Sequence, residues 1–324
     1  TQSRRDALQV GVERTIQIAI VGIILTTILG VLLGIARLST NWLTATFARV
    51  YVEVFRNTPP LVVSIFIFLG LFLNSGLLPN AVNEEAIEIP GLLTANTRTI
   101  AVPGLSIDGG VLAPLAVVLA ALVIAVLVSR WRRRLQDSTG TPARSFLWGG
   151  GAFLTVAIVG WLALGGPVTI TTPNLLDNGR ATDGGYQMQV AYCALLVGLV
   201  LYTASHIAEI VRAAIQSVAR GQDEAAKALG LPAGLRLRKV ILPQALRVAI
   251  PPMANQYLNL TKNSSLAIAV AYVEATKITS DIVANGAPAV QSFGLLVVIY
   301  LVISLVTAAI TNYANARLAV PGRS

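Results

Sequence analysis

TIQIAIVGIILTTILGVLLGIA, residues 15–36, contains no charged side chain. A helix of about 20 apolar residues is long enough to cross the hydrocarbon core of a bilayer. The same holds for VLAPLAVVLAALVIAVLVS (111–129), and no charge occurs anywhere from Ser145 to Leu176. Across 324 residues, 55% are hydrophobic and 12% are charged, with a mean hydropathy of +0.71. Soluble domains carry about a quarter charged residues, so this chain cannot clothe a large globule in charge. These runs predict an all-α, polytopic membrane protein. Strands are not expected in the spans, because an open sheet edge cannot be satisfied in lipid.

Seven spans are expected, at about 15–36, 60–78, 111–129, 146–165, 189–208, 246–271 and 293–315. The formal charge of +9 reads as topology, not as a nucleic-acid surface. RWRRR (130–134) lies between two apolar runs, and seven of the 24 Lys and Arg fall within 209–247. Segment 74–110 instead carries Glu84, Glu85, Glu88 and Asp108 against Arg98. Basic loops stay cytoplasmic, so 130–144 and 209–247 are expected inside and 74–110 outside. An odd number of spans then puts the N-terminus outside, where Arg4, Arg5 and Arg14 break the rule. A further span upstream of TQSRR would account for them.

Trp42 to Arg56 is amphipathic and runs into Pro59-Pro60, which predicts an interfacial helix turning into the second span. Gly30 and Gly34 have the GxxxG spacing that lets helices approach closely. YVEVFR (51–56) and IAEIVR (207–212) each place Glu three residues before Arg, neighbours on a helix, and predict an ion pair at each membrane boundary. Residues 79–188 read as an insertion: two external loops rich in Pro, Gly, Thr and Asn around two spans with almost no polar residue, suited to peripheral packing.

Enzyme chemistry finds little support. No GxxxxGK[ST] loop is present. His206 has neither a nucleophile beside it nor an HExxH context and reads as a polar residue near a helix end. Cys193 is alone in an apolar run, so no intrachain disulfide or Cys/His metal site is expected. No intramembrane carboxylate is evident.

The compact charged stretch GQDEAAKALGLPAGLRLRKVILPQA (221–245) needs its own explanation. The fifth span is expected to continue to about Ala219, with Gly221 permitting a break. Gln222 to Leu229 favours helix, with Asp223 and Glu224 in the first turn, where negative charge is stabilising. Gly230 and Pro232 stop it. The result is a helix about 12 Å long, slim at Ala225 and Ala226, with breakers on both sides.

Glu224, Ala225, Ala226, Gly230, Val240, Leu242 and Pro243 follow the order and spacing of the cytoplasmic EAA loop, and in this the chain resembles the permeases of ATP-binding-cassette importers. RVYVEVFRNTPPLV (49–62), LYTASHIAEIVRAAIQSVARGQDEAAKALG (201–230) and VILPQALRVAIPPMANQYLNLTKNSSLAIA (240–269) resemble the polar amino acid permeases of the histidine/glutamine type. The insertion and NLTKNSS are similar to the general L-amino acid permeases of the Aap and Bzt systems.

The resemblance implies a type I importer fold in a bacterial plasma membrane, with residues 1–324 forming one permease domain and 209–247 its coupling loop. It implies a dimer of ATPase subunits that bind ATP and Mg, a second related permease and an extracytoplasmic amino-acid-binding protein. This chain itself would carry no cofactor. Asp223, Glu224, Ala225, Ala226, Gly230, Leu242 and Pro243 would contact or shape the ATPase junction.

Polar residues inside a membrane are functional candidates, and the sixth span is rich in them. Asn255, Gln256, Asn259, Lys262, Asn263, Ser264 and Ser265 are the candidate substrate path, with Thr261 among them. Amides and hydroxyls offer donors to a carboxylate and acceptors to an ammonium. Pro251-Pro252 would loosen the helix and expose carbonyls. Relatives often carry Asp at Asn263, so a neutral amide beside Lys262 argues against a pocket built only for cations. An ion-gradient-driven transporter and a non-transporting scaffold are the alternatives.

Overall fold

The computed structural model describes residues 4–107, 112–139, 144–166, 168–176, 179 and 181–318. In chain order the elements are α1 (Arg4–Ala36), α2 (Trp42–Asn57) and α3 (Pro60–Ile65), the last continued by a π-wound stretch, Phe66–Leu73. Four strands follow, β1 (Ile87–Ile89), β2 (Leu93–Ala95), β3 (Thr99–Val102) and β4 (Gly104–Ile107), then α4 (Leu112–Thr139) and α5 (Ser145–Ala163). Next come β5 (Val168–Thr171), β6 (Asn174–Leu175), β7 (Thr182–Asp183), β8 (Tyr186–Gln189) and α6 (Val190–Gln216). The remainder is α7 (Arg220–Ala228), α8 (Ala233–Arg236), a π turn at Leu237–Ile241, α9 (Leu242–Asn263), a 3-10 segment at Ser264–Val270, α10 (Ala275–Ala284) and α11 (Ala289–Leu318).

Among the described residues, five helices are long and apolar enough to cross a membrane: α1, α4, α5, α6 and α11. A bent pair, Trp42–Asn57 with Pro60–Leu73, qualifies as a sixth if taken as one span. The chain is therefore polytopic and its spans are helical. Two of the expected seven spans differ in form. The run predicted at 60–78 stops at Leu73 and joins α2 at 106°. Its 14 residues rise only about 21 Å at α-helical pitch, short of the ~30 Å core. The run predicted at 246–271 is α-helical only to Asn263 and then tightens into 3-10 winding, and its many amides dilute its hydropathy. The first span is longer than expected, because the charged segment before Thr15 is helical too.

The chain forms two compact units, one of residues 1–78 and 189–324, the other of residues 79–188. In the first, α6 is the central post: two thirds of its most apolar window is buried, against none of that of α11. Its buried face, including Leu195, Leu199, Ala204, Ile207 and Val211, packs on α1, α9 and α2. Gly30 and Gly34 make the α1 contact possible. A Cβ at Gly30 would meet the Ile207 side chain at 2.6 Å, and one at Gly34 would meet the Ala208 carbonyl oxygen at 2.8 Å. The GxxxG spacing thus serves packing within the chain. Gly34→Val is expected to lower the melting temperature of the purified permease, by about 1–3 kcal/mol of overpacking strain. Gly294→Ala, at a site with open space around it, should leave it unchanged.

The second unit holds the α4–α5 hairpin and the strands. β1, β2, β3 and β8 form one sheet, while β4 pairs with β5 and β6 with β7 as two-stranded ladders. The strands occupy the polar segments that read as loops. Water can satisfy their free edges there, so the exclusion of sheet from lipid is not violated. Ile87 lies opposite Ala95 and Thr94 opposite Ala101.

Candidate functional site

The loop between α6 and α9 is braced at both ends. α6 stops at Gln216, and α7 begins at Arg220. The break expected at Gly221 therefore falls at 217–219, with Gly221 inside the first turn of α7. At the other end Gly230 has φ +73. Its N–H donates to the Lys227 carbonyl at 2.9 Å, and the Leu231 N–H donates to the Ala226 carbonyl at 3.1 Å. This double closure requires a left-handed residue, which glycine adopts without strain.

Asp223, in the first turn of α7, accepts from Lys227 Nζ at 2.7 Å and from Arg236 Nε at 2.7 Å. Arg236 Nη1 also donates to the Leu231 carbonyl at 3.1 Å. Gln244, in the first turn of α9, donates to Gln222 Oε1 at 3.1 Å and to the Val240 carbonyl at 3.0 Å. Pro243 stands directly after the π turn, at the second position of α9, and Leu242 beside it is half-buried. Only Ala226 of α7 is buried. Glu224, Ala225 and Leu229 point outward, Leu229 79% exposed. The helix thus presents one carboxylate and a small apolar ridge on a clasped base.

Hydrogen bonds from Lys227 first and Arg236 second hold the Asp223 carboxyl below its ordinary value. Because the folded-state value is the lower one, the clasp is fully present above the ordinary carboxylate range. It is lost as pH falls through the lowered value. Hydrogen-exchange protection across 222–236, taken relative to the intrinsic rate at each pH, should fall over that acid window. Asp223→Asn should show the lower protection already at neutral pH.

Glu209 on α6 anchors a second cluster. Its carboxylate pairs with Arg212 and Arg37, and Arg56 approaches at 3.6 Å. The ion pair predicted in IAEIVR is present. In YVEVFR, Arg56 turns to Glu209, and among the described residues no Glu53–Arg56 pair forms. His206 lies mid-helix and not near an end, its Nδ1 3.1 Å from the Tyr202 carbonyl oxygen. That bond orients its ring against Tyr202.

α9 runs unbroken through Pro251 and Pro252, so the loosening expected there falls instead at the 3-10 segment after Asn263. Asn255, Asn259 and Lys262, with Pro251 and Val248, form one exposed stripe at helical spacing. Gln256, Asn263 and Ser265 flank it, half-buried. Thr261 and Ser264 are buried and turn into the chain's own core. Thr261 donates to the Tyr257 carbonyl at 2.9 Å and Ser264 to the Thr261 carbonyl at 2.7 Å.

Glu274 is the group that sequence reasoning missed. It is fully buried, just beyond the end of the span expected at 246–271. It caps α10, accepting the Thr276 N–H at 2.8 Å and the Lys277 N–H at 3.1 Å on Oε1. Oε2 accepts the Tyr300 hydroxyl at 2.9 Å and the Thr15 hydroxyl at 3.1 Å. Four donors on three helices account for its burial. Nearby, Arg14 donates to the Val273 carbonyl at 3.1 Å and lies over the Tyr272 ring at 5.9 Å, so this apparently misplaced arginine has local partners.

Residues 26–320 match the family described as "Binding-protein-dependent transport system inner membrane component". The chain belongs to this permease family. Within it the chain lies on the polar amino acid branch, near the Aap and Bzt subunits. It is 38% identical over 317 residues to the general L-amino acid transport system permease protein AapQ of Rhizobium johnstonii, covering 98% of this chain and 78% of that one. It is 37% identical over 309 residues to the glutamate/glutamine/aspartate/asparagine transport system permease protein BztB of Rhodobacter capsulatus, covering 87% of this chain and 71% of the other. Its fold matches a chain of the crystal structure of an amino acid ABC transporter with histidines, with a TM-score of 0.56 and 17% identity over 97% of this chain and 94% of that one. The permease is thus the membrane-spanning subunit of an ABC-type importer. Among its described residues no group of three or more His, Cys, Asp or Glu could hold a metal ion.

Proposed function

We propose that this permease moves polar L-amino acids into the cell across a bacterial inner membrane, driven by a separate ATPase. In this reading it has a type I importer fold, with the α2–α3 pair and α9 with its 3-10 continuation as the sixth and seventh spans. A dimer of ATPase subunits holds ATP and Mg, a second related permease completes the path, and an extracytoplasmic amino-acid-binding protein delivers substrate. The observation that carries the proposal is α7: a short outward-facing helix, clasped at both ends, on the loop whose spacing matches the EAA pattern. It would seat in a socket of the ATPase and switch the permease between two packings.

The exposed stripe of Asn255, Asn259 and Lys262 supports a path along α9. Amides and an ammonium facing lipid would be costly, whereas facing a second permease they would line a polar passage. Gln256, Asn263 and Ser265 would flank it, and Ser264 would hold the 3-10 turn. A cysteine at the exposed Ala225 should cross-link to the ATPase in the intact transporter. Absence of the cross-link, with the complex assembled, would remove the coupling role. Uptake should also persist under ionophores while ATP lasts, which an ion-gradient-driven transporter would not do. The neutral Asn263 beside Lys262 favours neutral and acidic substrates, so uptake assays should find aspartate and glutamine transported. High-affinity uptake of arginine alone would overturn that specificity.

A further inference from the structure

The α4–α5 hairpin carries a feature that lies outside the path proposed along α9. α4 stays helical through Arg130–Arg134 and on to Thr139, past the end of its apolar run. Along one face lies a cleft of about 280 Å³ lined by Leu122, Ala125, Val126, Ser129, Arg130 and Arg133, near the ~300 Å³ lower end of ligand-sized sites. These residues follow helical spacing, so the cleft is apolar at one end and doubly cationic at the other. We propose that this cleft is a binding site for an anionic phospholipid, with the phosphate held by Arg130 and Arg133 and the acyl chain laid along Leu122, Ala125 and Val126.

The surroundings fit that occupant. Only 6% of the most apolar window of either helix is buried, so hydrocarbon is available to the cleft floor. Trp131 and Trp148 are 58% and 53% exposed beside the arginines, where indole rings sit at the headgroup level of a bilayer. Arg132 is engaged elsewhere, 4.8 Å from the Trp148 ring. Ser129 donates to the Ser145 carbonyl at 3.1 Å, and Arg133 Nε lies 3.4 Å from Ser145 Oγ, which ties two of the lining residues to the start of α5. Among the residues whose side chains are described, which do not include Asp137, no carboxylate pairs with Arg130, Arg133 or Arg134. Guanidinium groups bind phosphate oxygens bidentately, and basic pockets between spans recognise anionic headgroups. A free phosphate would use the arginines alone and gain nothing from the apolar floor.

The test uses the purified permease–ATPase complex, exchanged into detergent with dioleoyl phosphatidylglycerol or dioleoyl phosphatidylcholine and examined by native mass spectrometry. Phosphatidylglycerol should be retained in preference to phosphatidylcholine. Retention should fall roughly tenfold in Arg130→Gln/Arg133→Gln, the scale of losing two charge-assisted contacts. It should persist in Arg134→Gln, outside the cleft, and largely in Arg130→Lys/Arg133→Lys, which keeps the charge that sets topology. Equal retention by the Gln double variant, or no preference between the two lipids, would overturn the site. So would complete displacement by millimolar inorganic phosphate, which would make it a soluble-anion site, or co-purification of a protein that occupies the cleft in place of lipid.

Discussion

Glu224→Arg should leave the permease inserted and abundant while lowering amino acid uptake and transport-linked ATP hydrolysis by about tenfold or more. Glu224 is the outward-facing carboxylate of α7, and it takes no part in the clasp formed by Asp223, Lys227 and Arg236. Its substitution therefore spares the loop itself and would act only at the proposed contact of α7 with the ATPase. Reversing a charge at a desolvated protein contact removes one attraction and adds one repulsion, and losing even one partner of such a pair costs about 2–5 kcal/mol. Gly230→Leu should act in the same direction by a different route. A β-carbon at φ +73 strains the closure after Ala228, and α7 would be re-aimed. Normal uptake by a well-expressed Glu224→Arg permease would count decisively against the coupling role.

Glu274→Ala should be the most destabilising single change in the first unit. It strips the cap from α10 and leaves the Thr15 and Tyr300 hydroxyls without their carboxylate. Loss of a helix cap costs about 1 kcal/mol; Thr15 keeps the Gly11 carbonyl and Tyr300 keeps Ser264 and Thr276, so what they lose is the bond to the carboxylate, about 1.5–3 kcal/mol each at most. The total is on the order of 3–5 kcal/mol, within the range expected when a buried charged network is broken. Thermal unfolding of the purified permease in detergent should show a large downward shift. Glu274→Gln, which keeps an acceptor for the Thr276 and Lys277 N–H groups, should recover part of it. An unchanged melting temperature in the alanine variant would mean that the network contributes nothing to stability.

What the sequence revealed depended on whether the signal was local. Uncharged runs such as 15–36 and 190–208 mark spans directly, because hydropathy is a property of the run itself. The closure at Gly230 was equally readable, since a glycine after an alanine-rich helix has few other uses. Partners far apart in the chain left no such trace. Asp223 and Arg236 are 13 residues apart and share no helical face. Thr15 and Tyr300 meet Glu274 from opposite ends of the sequence, and glutamate is not a favoured N-cap. Arg56 could be paired from spacing only with Glu53, whereas the fold brings it to Glu209. The change of winding at Asn263 was masked by Pro251-Pro252, the more obvious breakers, which α9 absorbs.

The bond from Gln244 to Gln222 has a mechanical consequence. It fastens α7 to the first turn of α9, and α9 then runs about 33 Å, at 1.5 Å per residue, to the 3-10 segment beyond Asn263. If α7 is the coupling helix, a displacement imposed on it would enter α9 at its first turn, the helix that bears Asn255, Asn259 and Lys262 along its length. The winding changes only past them, at Ser264, so the amides and the ammonium would shift as a set and not one by one.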